Sequence, residues 1–212
     1  MPAVIDKKTG VSTPDIDLQI SAYVELLRNG TREGLSFDEE HHVFTVKGEM
    51  IPSVTTILKK AGLTPDWSAI KGIEWYADRG RYTHQATEMW EKGTLDEDTV
   101  DPEIAGYLNA YKAFRSDCPV TVTGQEVMLW HPAYKYAGII DMVIEGNSHY
   151  KLFLRKNGKY KLVEVTNIRG HFNVFLSALV EVTGNRTEAQ KEIARINLEQ
   201  WRKKNMREET HG

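Results

Sequence analysis

Six segments of the chain carry apolar residues at helical spacing, and each predicts an amphipathic helix. Thr13-Pro14 marks the start of the first helix, and Thr187 with Gln190 forms the capping-box pattern that precedes the last. Gly62 and Gly184 are typical helix ends. The predicted helices cover residues 13–29, 53–61, 68–92, 104–114, 172–179 and 187–201.

The remaining apolar stretches have the pattern of strands, and they cover residues 42–46, 49–51, 120–130, 136–145, 150–155 and 160–165. Lys47-Gly48 and Asn157-Gly158 supply the turns of two predicted hairpins. This order of elements predicts an α/β or α+β domain with a mixed sheet. At 212 residues the chain suits one domain of ordinary size. We expect residues 1–184 to form that domain and residues 185–212 to add a helical tail.

Composition narrows the class of protein. Hydrophobic residues make up 41% and charged residues 27% of the chain, values that exclude wholesale disorder. The sequence has no apolar run long enough for a transmembrane helix, and residues 1–8 lack the apolar core of a signal peptide. The single cysteine, Cys118, cannot form an internal disulfide. We therefore expect a cytoplasmic protein without a membrane partner.

Charge is distributed unevenly along the chain. Residues 85–126 contain nine acidic and three basic side chains, whereas residues 147–170 contain six basic side chains and one acidic one. The basic residues of the second segment are Lys151, Arg155, Lys156, Lys159, Lys161 and Arg169. This basic segment has the character of a phosphate-binding surface, although a solvated hairpin explains the same pattern.

His84 is the first candidate for chemistry. Glu88 lies one helical turn after it, so the two side chains share a face of the predicted third helix. An imidazole with a neighbouring carboxylate can bind a divalent metal or orient a general base. Gly80, one turn before His84, permits close approach of another backbone segment. A surface His–Glu pair on an amphipathic helix is the simpler alternative.

Three acidic residues on predicted strands are the other candidates. Asp141 lies within an apolar strand, where a carboxylate is costly unless it is paired or bound to a metal. Glu126 lies on the preceding strand and can face Asp141 across the pair. Glu164 shares a strand face with Leu162 and is a possible further ligand. The alternatives are a helix cap for Asp141 and solvent exposure for the two glutamates.

Together these residues form a set rich in oxygen ligands with one imidazole. Such a set favours Mg²⁺ or Mn²⁺ over structural zinc, which prefers thiolates or more histidines. A hard divalent cation between carboxylates is the usual means of hydrolysing phosphodiester bonds.

The order and spacing of these residues resemble the PD-(D/E)XK superfamily of nucleases, in its RecB-like, phage-type exonuclease branch. The resemblance is carried by Phe37-Asp38-Glu39-Glu40, Ile51-Pro52-Ser53-Val54, Arg79-Gly80 with His84, Glu126, and Gly138-Ile139-Ile140-Asp141. It implies a restriction-endonuclease-like fold, a cytoplasmic location in an infected bacterial host, and hydrolysis of DNA at linear ends. It also implies metal binding by His84 and Asp141, while Glu126 matches a recurrent acidic position of the family. With Glu126 as a third metal ligand, we expect the basic side chains to hold the DNA backbone, namely Lys151, Arg155, Lys156, Lys159, Arg79 and Arg81.

One part of the family pattern is missing after Asp141. There the family has a strand ending in acid-x-Lys, followed by a helix with a Gln-x-x-x-Tyr pattern. The nearest match to the strand is Glu164-Val165-Thr166, and we expect the chain to lack the Gln-x-x-x-Tyr pattern altogether. One alignment makes Glu164 the second catalytic acid, with Lys161 or Lys151 reaching in from the hairpin. The other alignment, which we favour, treats residues 146–148 as the site of a deletion that removed both motifs.

These two alignments predict different functions. The first predicts a Mg²⁺- or Mn²⁺-dependent DNA exonuclease with Asp141, Glu164 and Lys161 as catalytic residues. The second predicts a truncated relative that does not cleave, and instead binds DNA or a phage or host recombination nuclease. A third alternative is assembly through the C-terminal helix.

Overall fold

The structure, a computed structural model, describes residues 1–10, 12–65, 71–184 and 186–205. In these ranges the chain forms the following strands and helices. The strands are β1 (Pro2–Lys8), β2 (Leu35–Asp38), β3 (Val43–Val46), β4 (Glu49–Ile51), β5 (Val122–His131), β6 (Tyr136–Glu145), β7 (His149–Leu154) and β8 (Tyr160–Val165). The helices are α1 (Asp15–Asn29), α2 (Val54–Lys60), α3 (Ile73–Glu91), α4 (Pro102–Asp117), α5 (Ile168–Thr183) and α6 (Glu188–Asn205).

The chain divides into two compact units. The first unit contains Met1–Ser12, Asp66–Val127 and Ile140–Val165. The second unit contains Thr13–Pro65, Met128–Ile139 and Thr166–Gly212. Each unit thus draws on separate stretches of the chain.

The main sheet is mixed, with strand order β5-β6-β1-β7-β8. The central strand β1 is antiparallel to β6 and parallel to β7, and Ile5 pairs with Met142 on one side and Tyr150 on the other. β7 and β8 form the predicted hairpin. In the first unit, α3 packs on α4, and α4 contacts β7 and β8. The mixed sheet and its helices confirm the predicted fold class.

The core of the first unit lies between α4 and one face of the sheet. Its buried members are Ala3, Ile5, Tyr107, Ala110, Tyr111, Phe114, Met142, Ile144, Leu152 and Leu154. Gly106 lets α4 approach the turn between β7 and β8, because a β-carbon there would overlap the Lys156 carbonyl oxygen. This contact fixes the turn against the helix.

β1 is a strand that the hydrophobic pattern did not predict. Ala3, Val4 and Ile5 are buried, and so are the next two residues, Asp6 and Lys7. A short apolar run followed by three charged residues has the pattern of a solvated terminus. The strand exists because β6 and β7 both pair with it, and only the fold brings them together.

The second unit contains the three-stranded sheet β2-β3-β4 and helices α1, α2, α5 and α6. α1 and α2 both contact α5, and α6 packs on α5. Ser53 caps α2 by accepting a hydrogen bond from the Thr56 N–H. Thr187 and Gln190 exchange the hydrogen bonds of the expected capping box. None of the helices in the described ranges is long and apolar enough to cross a lipid bilayer.

Most predicted elements are confirmed, with small shifts at their ends. β2 was not predicted, because four residues of alternating character give a weak signal. α3 begins at Ile73 rather than 68, and residues 68–70 of the predicted helix lie outside the described residues.

Candidate metal centre

His84, Glu126 and Asp141 come together in the first unit, and we call them the ligand cluster. They lie on α3, β5 and β6 respectively, and each offers one ligand atom within 4.8 Å of the other two. His84 Nδ1 lies 3.5 Å from Glu126 Oε1 and 3.6 Å from Asp141 Oδ1. The predicted partner Glu88 instead pairs with Lys92. The structure therefore joins His84 to the two strand acids rather than to its helix neighbour.

Glu126 reaches the cluster through an unusual backbone conformation. Its φ is 45°, in the left-handed region that residues other than glycine rarely adopt. Such a residue within a strand turns its side chain away from the regular alternation, as β-bulges near active sites do. Strain of this kind costs about 1–3 kcal/mol and concentrates at functional sites.

The central strand β1 supplies further contacts to the cluster. The Lys7 N–H donates a 2.7 Å hydrogen bond to Asp141 Oδ2, and the Lys7 carbonyl oxygen lies 3.2 Å from His84 Nε2. Donation from Nε2–H to this oxygen leaves Nδ1 as a lone pair facing the carboxylates. Asp6 lies beside Asp141, one step beyond the Ile5–Met142 pair. β1 thus orients two members of the cluster and places Asp6 next to Asp141.

Asp6, Asp141 and His84 differ in the direction of their pKa shifts. The pKa of Asp6 is raised to about 7, because burial and the nearby Asp141 outweigh the lowering effect of Lys8. Burial also opposes ionisation of Asp141, but the charges of His84, Lys8 and Lys7 outweigh it and lower its pKa. Burial opposes protonation of His84, yet Asp141 and Glu126 raise its pKa. The centre holds Asp141 as a carboxylate and a proton on Asp6 near neutral pH.

The residues fit a hard divalent cation. Both carboxylate oxygens of Asp6 and Oε1 of Glu126 are buried without a hydrogen bond, although Lys8 Nζ lies 3.0 Å from Asp6 Oδ2. Buried carboxylate oxygens without donors are costly, and a cation removes that cost. The two carboxylates and one imidazole of the ligand cluster are ligands that Mg²⁺ and Mn²⁺ accept.

Two predicted catalytic residues do not join the cluster. Glu164 and Lys161 are exposed and lie on β8, an edge strand separated from β6 by β1 and β7. Two intervening strands correspond to a distance of about 14 Å across the sheet. Glu164 pairs with Tyr150 on β7 instead. Glu164 and Lys161 therefore lie apart from the ligand cluster, and their catalytic role stays a prediction.

The predicted DNA contacts divide into accessible and engaged side chains. Lys151 is buried on β7, whereas Arg155, Lys156 and Lys159 are exposed around the β7–β8 turn and form what we call the basic turn. Because β1 and β7 run parallel, this turn follows the same end of the sheet as Lys8, and Arg155 donates to the Gly10 carbonyl oxygen at 3.2 Å. The basic turn therefore lies at the end of the sheet where β1 ends with Asp6-Lys7-Lys8.

Arg79 and Arg81 on α3 are engaged differently. The Arg79 guanidinium lies 4.9–5.1 Å from the ring centres of Trp75, Tyr76 and Tyr107, and Arg81 pairs with Asp78. Cation–π contacts of this kind hold the Arg79 side chain in place. Arg81 is exposed.

Both patterns that were expected after Asp141 occur instead near the beginning of the chain. Asp6-Lys7-Lys8 is an acid-x-Lys pattern at the end of a strand, and Gln19-x-x-x-Tyr23 lies on the following helix, α1. Within the second unit, Gln19 Nε2 donates to the Tyr23 hydroxyl at 2.9 Å. The expectation that the chain lacks both patterns is wrong. A search for the motifs in any order would have found them.

Comparison with known proteins adds no family name. No protein-family model matches the chain, and no match is found among curated proteins. The resemblance to PD-(D/E)XK nucleases therefore depends on the motifs alone.

Proposed function

We propose that this protein is a deoxyribonuclease that uses Mg²⁺ or Mn²⁺ to hydrolyse phosphodiester bonds. The observation that carries the proposal is the convergence of His84, Glu126 and Asp141 beside the Asp6-Lys7-Lys8 strand. Carboxylates around a divalent cation, with a lysine nearby, are suited to phosphoryl chemistry.

The motifs support the same function, although their order along the chain is permuted. In the resembling family, the acid-x-Lys strand and the Gln-x-x-x-Tyr helix follow the Gly-x-x-Asp strand. Here they precede it in the chain as β1 and α1. β1 is nevertheless hydrogen-bonded to β6, so Asp6-Lys7-Lys8 is next to Asp141. Both patterns thus occur in the chain, before the Gly-x-x-Asp strand rather than after it.

The residues have distinct roles in this proposal. His84, Glu126 and Asp141 would hold the cation, with Asp6 on the neighbouring strand. When bound, the cation activates a water and stabilises charge on the phosphate. Lys8 is partly exposed and lies two residues after Asp6, so it orients the attacking water and stabilises the developing charge. The basic turn binds the DNA backbone.

The earlier alternative was a DNA-binding relative unable to cleave. It depended on the apparent loss of the acid-x-Lys and Gln-x-x-x-Tyr patterns. Since both patterns occur in the chain, we favour the nuclease. Linear DNA ends as substrate, and a phage or host recombination protein as partner, follow from the resemblance alone.

Incubation with end-labelled linear DNA tests the proposal directly. Duplex and single-stranded substrates are treated with the protein in Mn²⁺, Mg²⁺ or EDTA. We expect cleavage that requires metal, is abolished by Asp141→Asn and is retained by Glu164→Gln, a matched control on the exposed edge strand. The absence of metal-dependent cleavage by the native protein, or full activity of Asp141→Asn, would contradict it.

A further inference from the structure

The side chain of Lys7 is a buried cation next to the ligand cluster. It is 0% exposed, and its Nζ donates to Thr87 Oγ1 at 3.0 Å and lies 3.6 Å from Glu126 Oε1. Nζ also lies 5.8 Å from the centre of the Tyr111 ring. Lysine is almost never fully buried without a charged partner, and Glu126 is that partner.

The position of Lys7 on β1 explains its access to Glu126. Side chains alternate along a strand, so Lys7 shares a face with Ala3 and Ile5, which pack in the core against α4. Asp6 and Lys8 point to the other face. A residue at the Lys7 position would ordinarily be apolar, because its neighbours on that face are. Packing alone therefore does not explain why a lysine occupies this position.

We propose that Lys7 is a built-in positive charge at Glu126, so that the centre binds one divalent cation rather than two. This inference rests on the proposed function, since it concerns the same metal centre. In two-metal sites the ions lie about 3.5–4 Å apart and share carboxylates. The Lys7 ammonium already lies 3.6 Å from Glu126 Oε1. A second cation bound through Glu126 would face this fixed like charge at close range.

The charges of the centre lead to the same conclusion. Glu126 and Asp141 contribute two negative charges to the ligand cluster, and the Lys7 ammonium at Glu126 offsets one of them. Without Lys7, the centre would carry a further net negative charge and would attract a second cation or hold the first more tightly.

Mn²⁺ binding to the full, metal-free chain tests the inference without measuring activity. Electron paramagnetic resonance of free Mn²⁺ counts the bound ions. We expect one ion per native chain. Lys7→Met keeps the length and removes the charge, and we expect it to bind a second ion or to bind the first at least tenfold more tightly. Lys112→Met, which loses the same charge on α4, is the control.

The outcomes separate this inference from the proposed function. Two ions in the native chain would overturn the role of Lys7 and leave the nuclease proposal standing, and this count does not depend on how well any variant folds. The role of Lys7 would also be overturned if Lys7→Met bound Mn²⁺ with the same number and affinity as Lys112→Met. Loss of Mn²⁺ binding by Lys7→Met, with a native circular dichroism spectrum, would overturn it as well. No binding by the native chain would instead overturn the proposed function.

Discussion

The backbone N–H of Lys7 donates a 2.7 Å hydrogen bond to Oδ2 of Asp141, 134 positions later in the chain. This bond joins the end of β1 to the acid of the Gly-x-x-Asp strand. It therefore links two acidic segments, on β1 and β6, that are far apart in the chain. The same residue faces His84 with its carbonyl oxygen and Glu126 with its side chain.

Replacing Lys8 tests the assignment of the catalytic lysine. We expect Lys8→Met to lower kcat about 10²–10³-fold, because one electrostatic contact to the developing charge is typically worth that much. KM for DNA should change little, since the basic turn remains. Lys161→Met, on the exposed edge strand, is the control and should keep native kcat. The reverse pattern in steady-state cleavage assays would return the catalytic role to the β7–β8 hairpin.

Replacing Glu126 tests its strained backbone. Glycine adopts a φ of 45° without steric cost, whereas alanine does not. We expect Glu126→Gly to have a free energy of unfolding about 1 kcal/mol higher than Glu126→Ala, measured by urea denaturation. Both variants should bind Mn²⁺ more weakly than the native protein. Equal stability, or a more stable alanine variant, would show that the conformation relaxes.

The pKa of Asp6 predicts how stability depends on pH. Because this pKa is about 7 in the folded protein and ordinarily 3.8, the folded state keeps a proton that the unfolded state has released between pH 4 and 7. The free energy of unfolding therefore falls as pH rises through this window, by at most about 4 kcal/mol from Asp6. The raised pKa of His84 acts in the same direction.

Asp6→Asn isolates this effect. Asparagine resembles the protonated carboxyl group, so the variant should match the native protein at pH 5.5 and exceed its stability at pH 8. Thermal unfolding in EDTA measures both. Parallel pH profiles for the two proteins would exclude Asp6 as the titrating group. Mn²⁺ should reverse the order at pH 8, because the cation stabilises the Asp6 carboxylate.

The basic turn predicts a salt-dependent contribution to DNA affinity. Each phosphate contact contributes about 0.9 to the slope of log affinity against log salt on duplex DNA. The double variant Arg155→Gln/Lys159→Gln should lower the magnitude of that slope by about 2, measured by fluorescence anisotropy in EDTA. Lys191→Gln/Lys203→Gln, with the same charge change on α6, is the control. An unchanged slope would exclude the turn from the DNA contact.

The amino-acid sequence by itself determined much of this protein. The helices and hairpins follow from local periodicity, caps and turn residues, all of which act over a few positions. His84, Glu126 and Asp141 were recognisable because an acid in an apolar strand is costly, and because their order matches a known pattern. The acid-x-Lys and Gln-x-x-x-Tyr patterns were also present in the sequence, before Asp141 rather than after it.

Only the tertiary structure decided which strand stands beside Asp141. Pairing between β1 and β6 is a long-range choice, and no local pattern distinguishes β1 from a polar terminus. From the sequence, Glu164 and Lys161 were equally plausible catalytic residues, but the strand order places them on the edge of the sheet. The burial of Lys7 against Glu126 likewise depends on α3, β1 and β5 meeting. Sequence fixes residue chemistry, whereas the fold decides which charges are neighbours.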